Sequence, residues 1–316
     1  MPTPESYQAR FHRRWGHLAG AHVRALAWLL DSSDLLDSEA PQWKGRVATL
    51  GPVSPEVADW LVRLDADSTP LDAALGSRPC TRLGLYAEKL MAVYFEQQGR
   101  LVAHGLQVRA SRNDTIGEFD FLLEAGPGGL EHIEFATKFY LLDGAAAREL
   151  DALVGPNLAD SLGVKMRKVF ERQLMLGSHP AAQPLLPRPV TLARALVKGW
   201  LFYPFGDWPA LQGIAAQHCR GFWCALDEVE GLAGEQFVIL PKLQWLAPFR
   251  STSTAWLLDR AGLATALLDQ FQTSNTPLLV ASVRERGGAM EEVERGFIVP
   301  DDWRERAARV RLAKAL

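Results

Sequence analysis

Two stretches of alternating residues, joined by a glycine-rich turn, stand out in the middle of the chain. In residues 117–124 the alternate positions are Glu118, Asp120 and Leu122 on one face, and Phe119, Phe121 and Leu123 on the other. In residues 131–142 one face has Ile133, Phe135, Thr137, Phe139 and Leu141, and the other has His132, Glu134, Ala136, Lys138 and Tyr140. A period of two is typical of a β-strand. Because Ala-Gly-Pro-Gly-Gly at 125–129 ends a strand and favours a turn, the pattern predicts a β-hairpin.

The rest of the chain alternates between helical and strand periodicity. Apolar residues at helical spacing predict helices over 5–31, 55–65, 82–98, 160–176, 254–271 and 301–316. Alternating or short apolar runs predict strands over 101–110, 191–204, 219–228, 236–248 and 277–284. The segments 65–79 and 143–161 contain turn residues and predict irregular structure.

These elements divide the chain into three regions. Residues 1–80 form a helical N-terminal region, 81–180 an α/β core, and 181–316 a mixed, β-rich C-terminal region that is either continuous with the core or separate from it. Residues 177–190 contain four prolines and are the best candidate for a linker. The predicted fold class is α/β.

Composition and charge limit the function classes. The 316 residues have a formal net charge of −3, so the whole protein does not attract nucleic acid, and such a site requires a local basic patch. The side of helix 160–176 that carries Lys165, Lys168 and Arg172 is the candidate patch for nucleic-acid contact. A solvated basic helix face is the alternative interpretation.

The three cysteines, Cys80, Cys219 and Cys224, have no CxxC spacing. This argues against a disulfide framework and a zinc site, and it fits a reducing compartment. No apolar run approaches membrane-spanning length, and residues 1–15 lack a signal core. We therefore expect a soluble, cytoplasmic protein with no membrane partner.

Candidate chemistry lies on the polar face of the hairpin, where Asp120, Glu134 and Lys138 converge. Carboxylates bind Mg²⁺, and a neighbouring lysine positions water or offsets phosphate charge, so this set suits a metal-dependent phosphodiesterase. The alternative is a cross-strand salt bridge on a solvated face.

The order of predicted elements from helix 82–98 to helix 160–176 and the strand beyond resembles the α-β-β-β-α-β core of the PD-(D/E)XK nuclease superfamily, a restriction-endonuclease-like fold. Gly117-Glu-Phe-Asp120 resembles the GExD strand of its Holliday-junction-resolvase-like branches. A second resemblance covers most of the chain and is to a bacterial family catalogued as domain of unknown function 1853. The residues that carry it are Leu83–Glu88, Gly117–Leu122, His132–Leu141, Val154–Asn157 and Trp245–Pro248. This second family brings no assigned activity.

The nuclease resemblance assigns roles to individual residues. It implies that Asp120 is the central metal-binding acid, that Lys138 is the catalytic lysine, and that Glu88 adds a ligand from the helix. The superfamily places a second acid two residues before the lysine, where this chain has Ala136. Glu134 lies two residues earlier on the same face, about 6–7 Å away along the strand.

The sequence therefore predicts Mg²⁺- or Mn²⁺-dependent hydrolysis of DNA or RNA, with Asp120, Glu134 and Lys138 as catalytic residues. Asp120, Glu134 and Glu88 are the expected metal ligands, and Glu118 and Gln173 are weaker candidates. Because Ala136 occupies the usual acid position, a non-catalytic nucleic-acid or protein interaction module on a degenerate nuclease fold is the alternative. A structural hairpin, with the function elsewhere in the C-terminal region, is a third.

Overall fold

The computed structural model describes residues 5–78, 80–111, 114–144, 149–205 and 208–315. Its helices are α1 (Tyr7–Trp15), α2 (Ala21–Asp31), α3 (Pro55–Ala66), α4 (Thr69–Leu75), α5 (Leu83–Gln97), α6 (Leu162–Glu171), α7 (Arg260–Thr273) and α8 (Trp303–Ala315). Its strands are β1 (Leu101–Ser111), β2 (Asp114–Glu124), β3 (Leu130–Leu142), β4 (Leu153–Val154), β5 (Val190–Pro204), β6 (Cys219–Ala225), β7 (Gln236–Ile239), β8 (Arg250–Ser251), β9 (Leu278–Arg286) and β10 (Ala289–Val299). The mixed α/β class is confirmed. Among the described helices, none combines the length and apolar character needed to span a bilayer.

All ten described strands belong to one mixed sheet, in the order β1-β2-β3-β5-β6-β10-β9-β7, with β4 beside β3 and β8 beside β10. The pairs β3–β5, β5–β6 and β6–β10 are parallel, whereas the pairs nearer the two ends are antiparallel. The sheet therefore runs without interruption from the predicted core into the C-terminal region.

The centre of the sheet is buried on both faces. In β5, Leu196, Trp200 and Phe202 pack in a large cluster with residues of α1, α2, α3 and α5. The alternate residues Val197 and Leu201 pack in a second cluster with residues of α6. Burial on both faces explains why this strand reads as a nearly continuous apolar run.

Several predicted boundaries are wrong for identifiable reasons. Residues 5–31 form two helices, because α1 ends at Trp15 with Gly16 as its C-terminal cap. The turn before α2 is held by Asp65, which accepts hydrogen bonds from the N–H groups of Ala19 (2.9 Å) and Gly20 (2.7 Å). The segment 65–79, predicted as irregular, contains α4. The segment 254–271 becomes helical only at Arg260.

In the C-terminal region, the predicted strand 236–248 is also shorter than expected. Strand β7 ends at Ile239, and a 3-10 turn occupies Lys242–Gln244. Strand β10 was not predicted, because the charged run Glu291 to Arg295 hides its alternation. Two of these charged residues, Glu292 and Arg295, are buried as an ion pair.

Helix α6 is the last revision, and it affects the candidate site. The predicted helix 160–176 begins at Leu162, capped by Ser161, and ends at Glu171. Arg172 follows as the C-terminal cap, and Gln173 begins a 3-10 turn, Gln173–Ser178, that continues toward the sheet.

Candidate functional site

The candidate site lies where β2 separates from β3. The two strands pair from Glu124↔Leu130 to Phe121↔Ile133, and β3 then continues beside β5 as far as Leu141↔Phe202. At the first position beyond the shared ladder, Asp120 Oδ2 accepts a hydrogen bond of 2.8 Å from Phe135 N–H. The carboxylate thus takes the place of a main-chain acceptor. We call this region the strand fork.

Strict alternation along β2 fails at the strand fork. Phe119 was expected to share a face with Phe121. It packs instead with Leu122, and its ring centroid lies 4.8 Å from that of His132. Phe121 packs against Phe95 of α5, with ring centroids 5.1 Å apart. The backbone conformation of the neighbouring strand β1 changes at the same level of the sheet.

The neighbouring strand β1 contains Gly105, which has φ of 64° and lies between the partners of Phe119 and Phe121. Glycine adopts this left-handed conformation without steric cost and is common where a strand bends. Gly105 thus lies opposite Asp120, the residue of β2 at which the side chains stop alternating strictly between the two faces of the sheet.

Three carboxyl groups at the fork are held in surroundings that disfavour their charge. Burial, and after it the charge of Glu134, raise the pKa of Asp120 to about 8, although the hydrogen bond from Phe135 N–H lowers it. Burial raises the pKa of Glu134 to about 7. Burial also raises the pKa of Glu88 on α5, and Glu118 adds to this effect. The charge of Glu134 acts on Asp120, and the charge of Glu88 acts on both strand acids.

The carboxylate of Glu134 is held from one side only. Gln173 Nε2 donates to Oε1 of Glu134. The second oxygen, Oε2, is buried and has no hydrogen-bond partner among the described residues; the nearest ring nitrogen, Nε2 of His132, is 3.7 Å away. Both ring nitrogens of the fully buried His132 likewise lack a partner in the described chain. A buried polar oxygen without a protein partner is uncommon, and a water molecule or an ion is a suitable partner for it.

Lys138 is half-buried next to these acids, yet it forms no ion pair within 4.0 Å in the part of the chain that the structure describes. Burial lowers its pKa, and the charge of Lys165 lowers it further. The acid near Lys165 is Asp160, which takes a hydrogen bond from Tyr140 Oη at 3.1 Å and lies 3.5 Å from Lys165 Nζ. A cross-strand salt bridge through Lys138 is therefore not seen here.

The predicted nucleic-acid contacts lie on α6 and just beyond it. Lys168 and Arg172 are exposed, Lys165 is half-buried, and the charge of Lys168 lowers the pKa of Glu134. The neighbouring Arg167 is engaged by Asp151 through two hydrogen bonds of 2.9 and 3.1 Å. Lys168 is thus the cation on α6 whose charge acts directly on the fork acids.

The weaker candidates have distinct positions. Glu118 Oε2 accepts a 3.3 Å hydrogen bond from Gln107 Nε2 on β1, and its charge raises the pKa values of Glu88 and Asp120. Gln173, by contrast, contacts Glu134 directly. Sequence reasoning gave no role to His132, although the alternating pattern placed it on the same face as Glu134.

The donor set determines which metal ion the fork suits. Within the described residues, no group of three or more His, Cys, Asp or Glu side chains is arranged to hold a metal ion. Asp120 and Glu134 remain as a pair of oxygen donors. Mg²⁺ takes one or two carboxylates and completes its shell with water and phosphate. Asp120 and Glu134 are the described residues of the fork that could provide such carboxylate oxygens.

Comparison with known proteins gives one family. The model of a family described as a domain of unknown function (DUF1853) matches residues 24–299, which include every element of the strand fork. No match was found among curated proteins or among solved structures.

Proposed function

The chain belongs to the DUF1853 family, whose description names no activity, and we propose from the geometry of the strand fork that the protein is a metal-dependent phosphodiesterase acting on nucleic acid. The observation that carries this proposal is the pair of carboxyl groups of the half-buried Asp120 and the buried Glu134, beside Lys138, which no described acid neutralises within 4.0 Å. Perturbed ionisable groups of this kind cluster at functional sites.

The order of elements supports the same proposal. Helix α5 is followed by β1, β2 and β3, then by α6 and β5, and β5 lies parallel to β3. We propose that these elements form a PD-(D/E)XK-like core, with α5 on one face and α6 on the other.

Asp120 and Glu134 would hold Mg²⁺ or Mn²⁺, and Glu88 would support them from α5. The bound ion would make a water molecule acidic enough to attack phosphorus near neutral pH. Lys138 would donate to a non-bridging phosphate oxygen, where negative charge grows in the transition state. Lys165, Lys168 and Arg172 would contact the phosphate backbone on either side of the scissile bond.

Glu134 replaces an acid that the superfamily pattern expects at Ala136. Its position at the fork is set by the hydrogen bond from Gln173 to Oε1, which leaves Oε2 without a protein donor. We propose that this oxygen is the one that faces the cation.

A second candidate function is a non-catalytic interaction module that binds nucleic acid or protein on the same fold. It is favoured by Ala136 at the expected acid position and by the lack of a three-ligand group in the described chain. Such a module would retain the basic residues of α6 and bind no metal ion.

Calorimetric titration with Mn²⁺ tests the metal site. We expect binding by wild type and none by Asp120→Asn, because the substitution removes a charged oxygen donor. Glu124→Gln is the matched control, since it removes a carboxylate from the same strand where Arg188 already pairs with it at 2.5 Å. Equal binding by wild type and Asp120→Asn would exclude the fork as the site.

Cleavage assays test the reaction. With Mn²⁺ and plasmid DNA, single-stranded DNA or RNA as substrates, we expect Asp120→Asn and Lys138→Ala each to abolish cleavage while circular dichroism shows an intact fold. Unchanged cleavage in both variants would disprove the assignment. Nucleic-acid binding without cleavage or metal uptake would favour the interaction module.

A further inference from the structure

A cavity of about 920 Å³ opens where α1, the segment before β6 and strand β10 meet. The first turn of α1 forms one wall, Trp208 and residues 216–220 form another, and Val293 and Glu294 of β10 complete the lining. None of the lining residues belongs to the strand fork. We call this cavity the aromatic cleft.

Trp208 presents an aromatic surface to the cleft. Its side chain is 44% exposed, although its ring centroid lies 5.3 Å from that of the buried Tyr203. Tyr203 is fixed in turn by a 2.7 Å hydrogen bond between its Oη and Nε2 of His218. An exposed indole supported from beneath by a fixed ring is well suited to stacking with a planar ligand.

Two arginines flank this aromatic surface. The guanidinium carbon of Arg220 lies over the Trp208 ring, 5.8 Å from its centroid, so a stacking base would displace it, and the guanidinium carbon of Arg10 lies over the Tyr7 ring, 5.2 Å from its centroid. Arg220 donates to the Ala216 carbonyl at 2.5 Å. Both arginines are exposed, and in the described chain neither forms a salt bridge within 4.0 Å. Their charge is available to an anionic ligand.

The cleft also contains acids, but they oppose this charge only weakly. Glu5 is already paired with Arg13 at 2.5 Å. Burial raises the pKa of Glu294, and the nearby Glu292 raises it further, which disfavours a negative charge there.

We propose that the aromatic cleft binds a nucleotide unit, with the base stacked on Trp208 and the phosphate held by Arg10 and Arg220. Guanidinium groups bind phosphate through paired charged hydrogen bonds, and any base can stack on an indole. The unit belongs either to a free nucleotide or to a single-stranded nucleic acid. This proposal does not depend on metal binding or catalysis at the strand fork.

Fluorescence anisotropy with a fluorescein-labelled decathymidylate tests the proposal. The full-length protein is used in EDTA, so that the strand fork has no metal ion. We expect Trp208→Ala to weaken binding about 10-fold, within the range measured for loss of one stacked base. Trp256→Ala is the matched control, because Trp256 is even more exposed, at 59%, and does not line the cleft.

The arginines have their own signature. The double variant Arg10→Gln/Arg220→Gln should make the plot of log affinity against log salt concentration shallower by about 0.7, since the two arginines hold one phosphate and each neutralised phosphate on a single strand contributes about 0.7. Competition by thymidine monophosphate would identify a free nucleotide as sufficient, and competition by unlabelled oligonucleotide alone would identify a single strand.

Three results would overturn the proposal. The first is no measurable binding of the labelled decathymidylate to the wild-type protein. The second is equal affinity of wild type and Trp208→Ala, or equal loss in Trp256→Ala. The third is loss of binding in Asp120→Asn in EDTA, because that would place the oligonucleotide at the strand fork. Retained binding in Asp120→Asn supports the cleft, whether or not the fork proves to be catalytic.

Discussion

Glu292 and Glu134 are both buried strand carboxylates, 2% and 5% exposed, but their surroundings differ. Glu292 receives hydrogen bonds from Arg295 Nε at 2.6 Å and Nη2 at 2.7 Å, and Phe249 N–H adds a third at 2.8 Å. Glu134 receives one hydrogen bond, from the neutral amide of Gln173 to Oε1, and its Oε2 has no partner among the described residues.

The difference separates a structural acid from a candidate functional one. A buried charge is tolerated when an opposite charge and further donors satisfy it, and this describes the pair Glu292–Arg295. At the strand fork, burial and like charge instead raise the pKa of Asp120 and of Glu134. Such an arrangement costs stability in the absence of a ligand, which supports our proposal that a cation binds there.

The largest expected effect comes from breaking the satisfied pair. Arg295→Met leaves Glu292 buried without its partner, and we expect the free energy of unfolding to fall by about 3–5 kcal/mol. Urea denaturation monitored by tryptophan fluorescence measures the change. A loss below about 1 kcal/mol would show that the Glu292–Arg295 pair does not stabilise the fold as we expect.

Replacing Asp120 at the strand fork should act in the opposite direction and stabilise the folded protein at higher pH. The folded protein holds a proton at Asp120 between its ordinary pKa of 3.8 and about 8, while the unfolded chain has lost it. Wild-type stability therefore falls as pH rises through this window, since the folded state binds more protons.

Asp120→Asn removes that slope. Relative to wild type, the variant should gain on the order of 1–3 kcal/mol from pH 5 to pH 8, because one pKa unit corresponds to about 1.4 kcal/mol and Glu134 changes its own charge over the same pH range. Urea unfolding in EDTA at both pH values gives the difference. Parallel stability curves would show that Asp120 does not carry the perturbed proton.

A smaller effect is expected from the amide that holds Glu134. Gln173→Ala removes the donor to Oε1, and we expect Mn²⁺ affinity to fall about 10-fold, the lower end of the range for residues that orient metal ligands. Calorimetry measures it, with the exposed Gln98→Ala beyond α5 as control. Affinity equal to wild type would separate Gln173 from the metal site.

The smallest effect is expected where an ion pair is fully solvated. Arg309 and Glu305 on α8 have side chains 73% and 76% exposed and lie 3.3 Å apart at i,i+4 spacing. Arg309→Ala should change the free energy of unfolding by less than about 0.5 kcal/mol. This variant is the baseline for Arg295→Met, and a loss comparable to that of Arg295→Met would remove burial as the explanation.

Sequence reasoning succeeded where local pattern and burial coincide. Helix 82–98 is confirmed as Leu83–Gln97, and the hairpin strands are confirmed as Asp114–Glu124 and Leu130–Leu142. It failed at β10, where buried charges resemble a solvated surface, and at Phe119, where the positive φ of Gly105 bends the neighbouring strand. The carboxylates could be identified from their shared face, and Gln173 was a weaker candidate, but its contact with Glu134 could not be derived from local pattern because the two are 39 positions apart.

The sequence by itself determined the mixed α/β class, the hairpin, and the set of acids and lysine that face one another. These follow from periods of two and 3.6 residues and from turn chemistry, which act over short distances along the chain. Only the tertiary structure decided that β2 and β3 separate at Asp120, that Glu292 is paired whereas Glu134 is not, and that Trp208 and Arg10 line the same cleft. Those features depend on contacts between distant segments, and burial there sets which charges are satisfied.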